Sequence, residues 1–246
     1  MKIWIIALLM LFSAVFSAQA CTIRVQVNDF PPYSYWQDGR WQGSRVVLAE
    51  RLAAKLHCNT EYLDIAWGRA LLLMQQGKLD LMFNLSKTPE REQAMLFLAP
   101  HHTETLVLAV TSEMTEWHFI SNLKELRLFP GTIALTQGGY MGPQFNAFAK
   151  DPIQAKKIVL MPHRKAKTEL VLKGRAQALI EDKDYLQYAI SNFPAYQKLV
   201  LTPLVLSQTP VYAALSRKSV VFSRAAEFEL AIAELIKEGH WSADAP

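Results

Sequence analysis

Hydrophobic and polar positions alternate along this chain in short runs whose period switches repeatedly between that of a strand and that of a helix. Residues 22–28 set Ile23, Val25 and Val27 against Arg24 and Gln26, a half-buried strand pattern. A turn-rich stretch with Pro31, Pro32, Asp38 and Gly39 follows. Val47, Leu48, Leu52, Ala53 and Leu56 then recur at helical spacing with Arg51 and Lys55 opposite, and Ser44 stands where an N-cap is expected. Next come a strand at 59–65, a helix from about Trp67 to Gln76 closed by Gly77, and a continuously apolar strand at 79–85 that suits a parallel strand covered on both faces. This βαβαβ order is the grammar of an open α/β sheet.

After a strand at 106–110 the grammar repeats. A strand at 132–136, a helix after Gly142 and Pro143, a helix ending in Lys173 and Gly174, and a strand at 176–180 are expected. The pattern of helix end, glycine, basic residue and strand at Gly77 returns at Gly174, so two similar α/β units are expected to form two lobes. The tail supplies an apolar strand at 211–215 and an amphipathic helix from about Ser223 to Lys237, ending at Gly239, which would complete the first lobe. The expected divisions are a leader at 1–20, a first lobe at 21–112 and 207–246, and a second lobe at 113–206. Two crossovers, near 110–114 and 205–210, would act as a hinge.

The first twenty residues change the picture. Lys2, an apolar run at 3–16 and the small residues Ala18 and Ala20 before Cys21 make a secretory signal with an A-x-A cleavage site. About 14 apolar residues fall short of the ~20 that span a bilayer. Lipoprotein processing at Cys21 is the lesser alternative, since Ala18 stands where a leucine is usual. Removing residues 1–20 from 246 leaves 226, enough for a sizeable core, and takes the formal net charge from +4 to +3 with the loss of Lys2. The remaining basic residues are scattered, so no nucleic-acid stripe is visible. Export carries Cys21 and Cys58 into an oxidising compartment. Each opens a predicted strand; if those strands lie parallel and adjacent, the sulfurs meet in a disulfide, the alternative being two independent thiols. No metal-ligand cluster and no cofactor motif is present, and no catalytic nucleophile and base motif.

In open α/β sheets ligands sit beyond the carboxyl ends of the strands. Those positions hold Ser86, Thr88 and Arg91 in the first unit and Glu181 and Asp182 in the second. A guanidinium facing a carboxylate complements the two ends of a zwitterion.

These residues carry a resemblance to the type II periplasmic binding proteins of the polar-amino-acid class, solute-binding family 3. Phe30-Pro31-Pro32-Tyr33 with Asp38-Gly39 and Gly43 resembles the family's opening motif, Trp67 its aromatic position, Ser86-Lys87-Thr88-Pro89-Glu90-Arg91 its S-x-T-x-x-R signature, and Gln137-Gly138-Gly139 its second-lobe loop. The resemblance implies a two-lobed fold and a monomeric clamp that captures an amino-acid-like ligand without chemistry, for an ABC-type permease or for a membrane sensor. It implies that Arg91 binds the ligand α-carboxylate with Ser86, Thr88 and backbone N–H groups near Gly139, that Asp182 receives the α-ammonium, and that Phe30 and Trp67 sandwich the side chain. The bland readings are a surface ion pair for Arg91, a helix cap for Asp182 and a core role for Trp67. Three features depart from the family pattern: Ser44-Arg45-Val46-Val47 lacks two acids, read as a change in helix capping; Gly139-Tyr140 replaces hydroxyl residues; and Arg69 adds a cation that faces either cleft or solvent. The same fold includes exported cyclohexadienyl dehydratases, and Glu181 beside Asp182 keeps an enzyme as the alternative.

Overall fold

The computed structural model describes residues 21–242; the expected leader at 1–20 lies outside them. The chain begins with β1 (Cys21–Val27), a hairpin of β2 (Tyr35–Gln37) and β3 (Arg40–Gln42), α1 (Ser44–Lys55), β4 (Cys58–Asp64), α2 (Trp67–Gln76), β5 (Leu81–Leu85) and α3 (Pro89–Ala94). A 17-residue strand, β6 (Met95–Thr111), leads into α4 (Leu123–Leu128), β7 (Ile133–Thr136), α5 (Pro143–Lys150), α6 (Pro152–Ala155), β8 (Ile158–Met161), α7 (Arg164–Leu172), β9 (Ala178–Asp182) and α8 (Lys183–Asn192). An 18-residue strand, β10 (Leu199–Ser216), and α9 (Ala225–Lys237) complete it.

One eight-stranded sheet runs through the molecule in the order β4-β1-β5-β10-β6-β9-β7-β8. β4, β1 and β5 are parallel at one end, and β8, β7 and β9 are parallel at the other. The long antiparallel pair β6 and β10 joins the two ends. Both of these strands run without a break through the regions next to the expected crossovers. β10 pairs with β5 at Tyr212–Leu215, whereas β6 pairs with β9 at Leu106–Val110. The expected strands at 106–110 and 211–215 are parts of β6 and β10; the full extent of β6 was hidden because His101, His102 and Glu104 interrupt its apolar pattern.

Each end has its own core on both faces of the sheet. Ile23, Leu48, Leu52, Phe83, Phe228 and Ile232 pack α1 and α9 onto the first. Leu108, Phe129, Ile133, Phe145 and Ile180 pack α4 and α5 onto the second. Burying these large side chains stabilises the fold by about 1.5–3 kcal/mol apiece. The N-cap of α1 is Gly43, not Ser44, and the buried face begins at Arg45 and Val46 while Val47 is exposed. The apolar residues alone placed that face one position too far along.

Cys21 and Cys58 are paired in the β1–β4 register and form a disulfide. Both sulfurs are therefore engaged in the covalent link between the two strands. Among the described residues no helix is long and apolar enough to cross a membrane.

Candidate functional site

The turn after β1 does most to shape the cleft. Tyr33 N–H and Ser34 N–H both donate to Phe30 O, and Arg45 N–H, at the start of α1, donates to Tyr33 O at 2.9 Å. Gly43 (φ 112°) lets α1 approach this turn, because a Cβ there would collide with the Tyr33 carbonyl. Phe30 and Tyr33 thus leave the first lobe and bury themselves with Val107, Leu179 and Tyr185 of the second. The same docking drives Arg45 under their rings, with its guanidinium carbon 4.5 Å from the Phe30 centroid and 4.3 Å from that of Tyr33. From the second lobe Arg164 reaches the Phe30 ring at 3.2 Å. Two guanidinium groups therefore lie close to the Phe30 ring.

Next to this stack lies a cavity of about 70 Å³, space for about five to seven water-sized groups. It sits beyond the carboxyl ends of β1, β5, β7 and β9, as an open sheet dictates. Phe30, Trp67, Ser86, Arg91, Gly139 and Tyr140 reach its wall. Arg91 Nη1 donates to Ser86 O and Nη2 to Gly138 O, each at 2.9 Å, and Trp67 Nε1 donates to the same Gly138 O at 3.3 Å. Two side chains of the first lobe thus close onto one carbonyl of the second. Thr88 is not on the wall; it caps α3 by accepting from Arg91 N–H. Arg69 is exposed on α2, away from the cavity.

Asp182 differs from the expectation. Neighbouring residues of a strand project to opposite faces. Glu181 reaches the cavity, whereas Asp182 is buried off its wall and caps α8, accepting from Tyr185 N–H at 2.9 Å and from Tyr33 OH at 3.4 Å. Glu181 itself is already matched, by Arg164 at 2.6 Å and Lys167 at 2.8 Å. Burial works against its charge, but these two cations outweigh it and hold the carboxyl down to about 2. A second carboxylate, that of Glu104, also lines the cavity.

Glu104 lies on β6 at the crossing between lobes and accepts from Asn84 Nδ2 at 2.6 Å. Burial, reinforced by the negative charge of Asp182, pushes it up to about 7. Asn84 is held in a left-handed conformation (φ 64°), which asparagine tolerates better than most residues, and its N–H donates to His101 Nε2. Strain of this kind gathers at binding sites.

Sequence reasoning missed Glu104, Asn84, Arg45, Arg164 and Lys167. The signal for Arg45 was present: the missing acids after Gly43 put an arginine on the buried face of α1, and its effect is on the cleft as well as on the cap. For Glu104 no local signal existed, because it lies in β6 just ahead of the expected strand at 106–110 and outside its apolar run.

A model of the bacterial extracellular solute-binding proteins, family 3, matches residues 23–243. A probable amino-acid-binding protein, YxeM of Bacillus subtilis (strain 168), is 24% identical over 178 residues, 72% of this chain and 65% of that protein, so the match spans less than two thirds of the relative's length. Among solved structures, a histidine kinase sensor domain with similarity to periplasmic binding proteins superposes with a TM-score of 0.74 at 20% identity, covering 90% of this chain and 93% of that one. The amino acid ABC transporter substrate-binding protein AbpA from Streptococcus pneumoniae, bound to L-arginine, gives 0.72 at 23% identity over 89% of this chain and 91% of that one. These likenesses establish the two-lobed fold.

Proposed function

We propose a function from the family to which this chain belongs, the bacterial extracellular solute-binding proteins of family 3, and from the geometry of its cleft: it captures a small amino-acid-like ligand between its lobes and delivers it unchanged to a membrane permease. The observation that carries this reading is the pair of complementary groups on one small cavity, the Arg91 guanidinium at the closing edge and the Glu104 carboxylate at the hinge. A ligand carboxylate would take Arg91, Ser86 and the backbone N–H groups near Gly139; a ligand ammonium would take Glu104 in place of the expected Asp182. Phe30 and Trp67 would flank the rest of the ligand.

The lobes would hinge where β6 and β10 cross, at about residues 102–106 and 207–212, giving a first lobe of 21–102 and 212–242 and a second of 106–207. Ligand shifts this equilibrium because only the closed form touches it from both sides. Export into the periplasm is supported by the leader pattern and by the Cys21–Cys58 disulfide, which leaves no Cys21 thiol for a lipid. A receptor in place of the permease is the alternative partner, supported by the likeness to a kinase sensor domain. Co-purification with a permease or with a receptor separates them.

A thermal-shift screen against amino acids, small peptides and dicarboxylates tests the central reading, because a specific ligand stabilises by mass action. One amino acid should raise the midpoint in proportion to the logarithm of its concentration. If no amino acid does so at millimolar concentration, the reading fails. A second reading, an enzyme, is favoured by Glu104 alone, since a carboxyl near 7 is suited to general acid work. Formation of an aromatic product from prephenate or arogenate would establish it.

A further inference from the structure

The cavity carries more positive charge than an ordinary zwitterion can use. Arg45, Arg91, Arg164 and Lys167 all reach its wall, against Glu104 and Glu181. Glu181 is consumed by Arg164 and Lys167, and in the proposed binding mode Arg91 and Glu104 take the two ends of an amino acid. Arg45 is left over. Its side chain is nine-tenths buried, its Nε has no hydrogen-bond partner among the described residues, and its immediate neighbours are the faces of Phe30 and Tyr33. Ring faces offset part of a buried charge but accept no directed hydrogen bond from an in-plane N–H. Burial weakens the cation's hold on its proton enough to lower it to about 10. Arg164, also over the Phe30 ring, makes one hydrogen bond among the described residues, through Nε to Glu181, so its terminal nitrogens keep their donors.

Resting on the amino-acid reading above, we infer that this clamp is specific for an acidic amino acid, whose side-chain carboxylate is held by Arg45 and Arg164 beside Phe30. A planar carboxylate matches the forked donors of a guanidinium, and it supplies the negative charge that Arg45 lacks. The same charge excludes a cationic side chain such as arginine, which would place like charges together in a desolvated cavity. A neutral amide side chain leaves the Arg45 cation unmatched.

Isothermal titration of the purified protein with L-glutamate, L-aspartate, L-glutamine, L-arginine and glutarate tests this. Glutamate or aspartate should bind at least 100-fold more tightly than glutamine or arginine. Arg45→Met should weaken the acidic ligand at least 30-fold while changing glutamine affinity less than threefold, which separates loss of the carboxylate contact from damage to the fold. Glutamine or arginine binding as tightly as the acidic amino acids would overturn the inference and leave amino-acid capture standing. Glutarate matching glutamate would support the anion site while overturning the amino-acid part of the earlier reading. Failure of every ligand in the series would overturn both.

Discussion

Glu104 offers the sharpest test because the structure makes it costly to the empty protein. Its carboxyl ordinarily titrates near 4.5 and is pushed up to about 7 by burial and by Asp182, with Arg45 and Asn84 pulling in the other direction without prevailing. A carboxyl whose folded value lies above its unfolded value keeps its proton longer when folded. The contribution of Glu104 to stability is therefore most favourable below about 4.5, falls as the pH rises toward 7, and levels off above it. At about 1.4 kcal/mol per pH unit, the gap from 4.5 to about 7 corresponds to about 3 kcal/mol lost at pH 8. Glu104→Gln removes the charge, keeps an oxygen for Asn84 Nδ2, and adds a donor for Asn84 Oδ1, which has no partner among the described residues. The ligand-free variant should unfold about 1–3 kcal/mol less readily at pH 8, a rise in midpoint of about 3–9 °C for a protein of this size, and the gain should vanish at pH 4.5. Thermal or urea unfolding of both proteins at the two pH values reads this directly. A variant no more stable than the parent at pH 8, or equally stabilised at both pH values, would refute the account of Glu104 as a destabilising binding group.

Other outcomes follow from the same geometry. Ligand affinity should fall about tenfold per unit as the pH drops below 7, because an ammonium needs Glu104 ionised; titrations at pH 8, 6 and 5 check this, and a flat profile would remove Glu104 from the contact. Arg91→Ala should weaken binding at least 100-fold with the fold intact by circular dichroism, since it removes a charged fork from the closing edge. Glu181→Gln should cost about 3 kcal/mol by leaving Lys167 and Arg164 buried together; with the parent carboxyl held at about 2, its contribution is complete above 4.5 and fades as the pH falls toward 2, so acid unfolding should distinguish the two proteins only above that range. Cys58→Ser should cost about 2–4 kcal/mol in non-reducing unfolding experiments, because the bridge spans 37 residues of chain.

Much of this protein is set by its sequence directly, where the signal is local. The glycine at 77 that ends α2, the continuous apolar run of β5 and the helical spacing in α1 each act through neighbours a few residues away, and all three elements form near the positions their patterns predict. The disulfide was legible because Cys21 and Cys58 open strands that pair in parallel register. The tertiary structure decided the rest. The long strands β6 and β10 are stabilised by pairing with each other, and polar residues along them conceal all but the segments 106–110 and 211–215 from any local period. The strand pleat turned Asp182 away from the cleft and Glu181 into it. Glu104, Arg45 and Arg164 come from three separate elements and share one cavity wall beside Phe30, so their charges acquire meaning only through contacts between residues far apart in the chain.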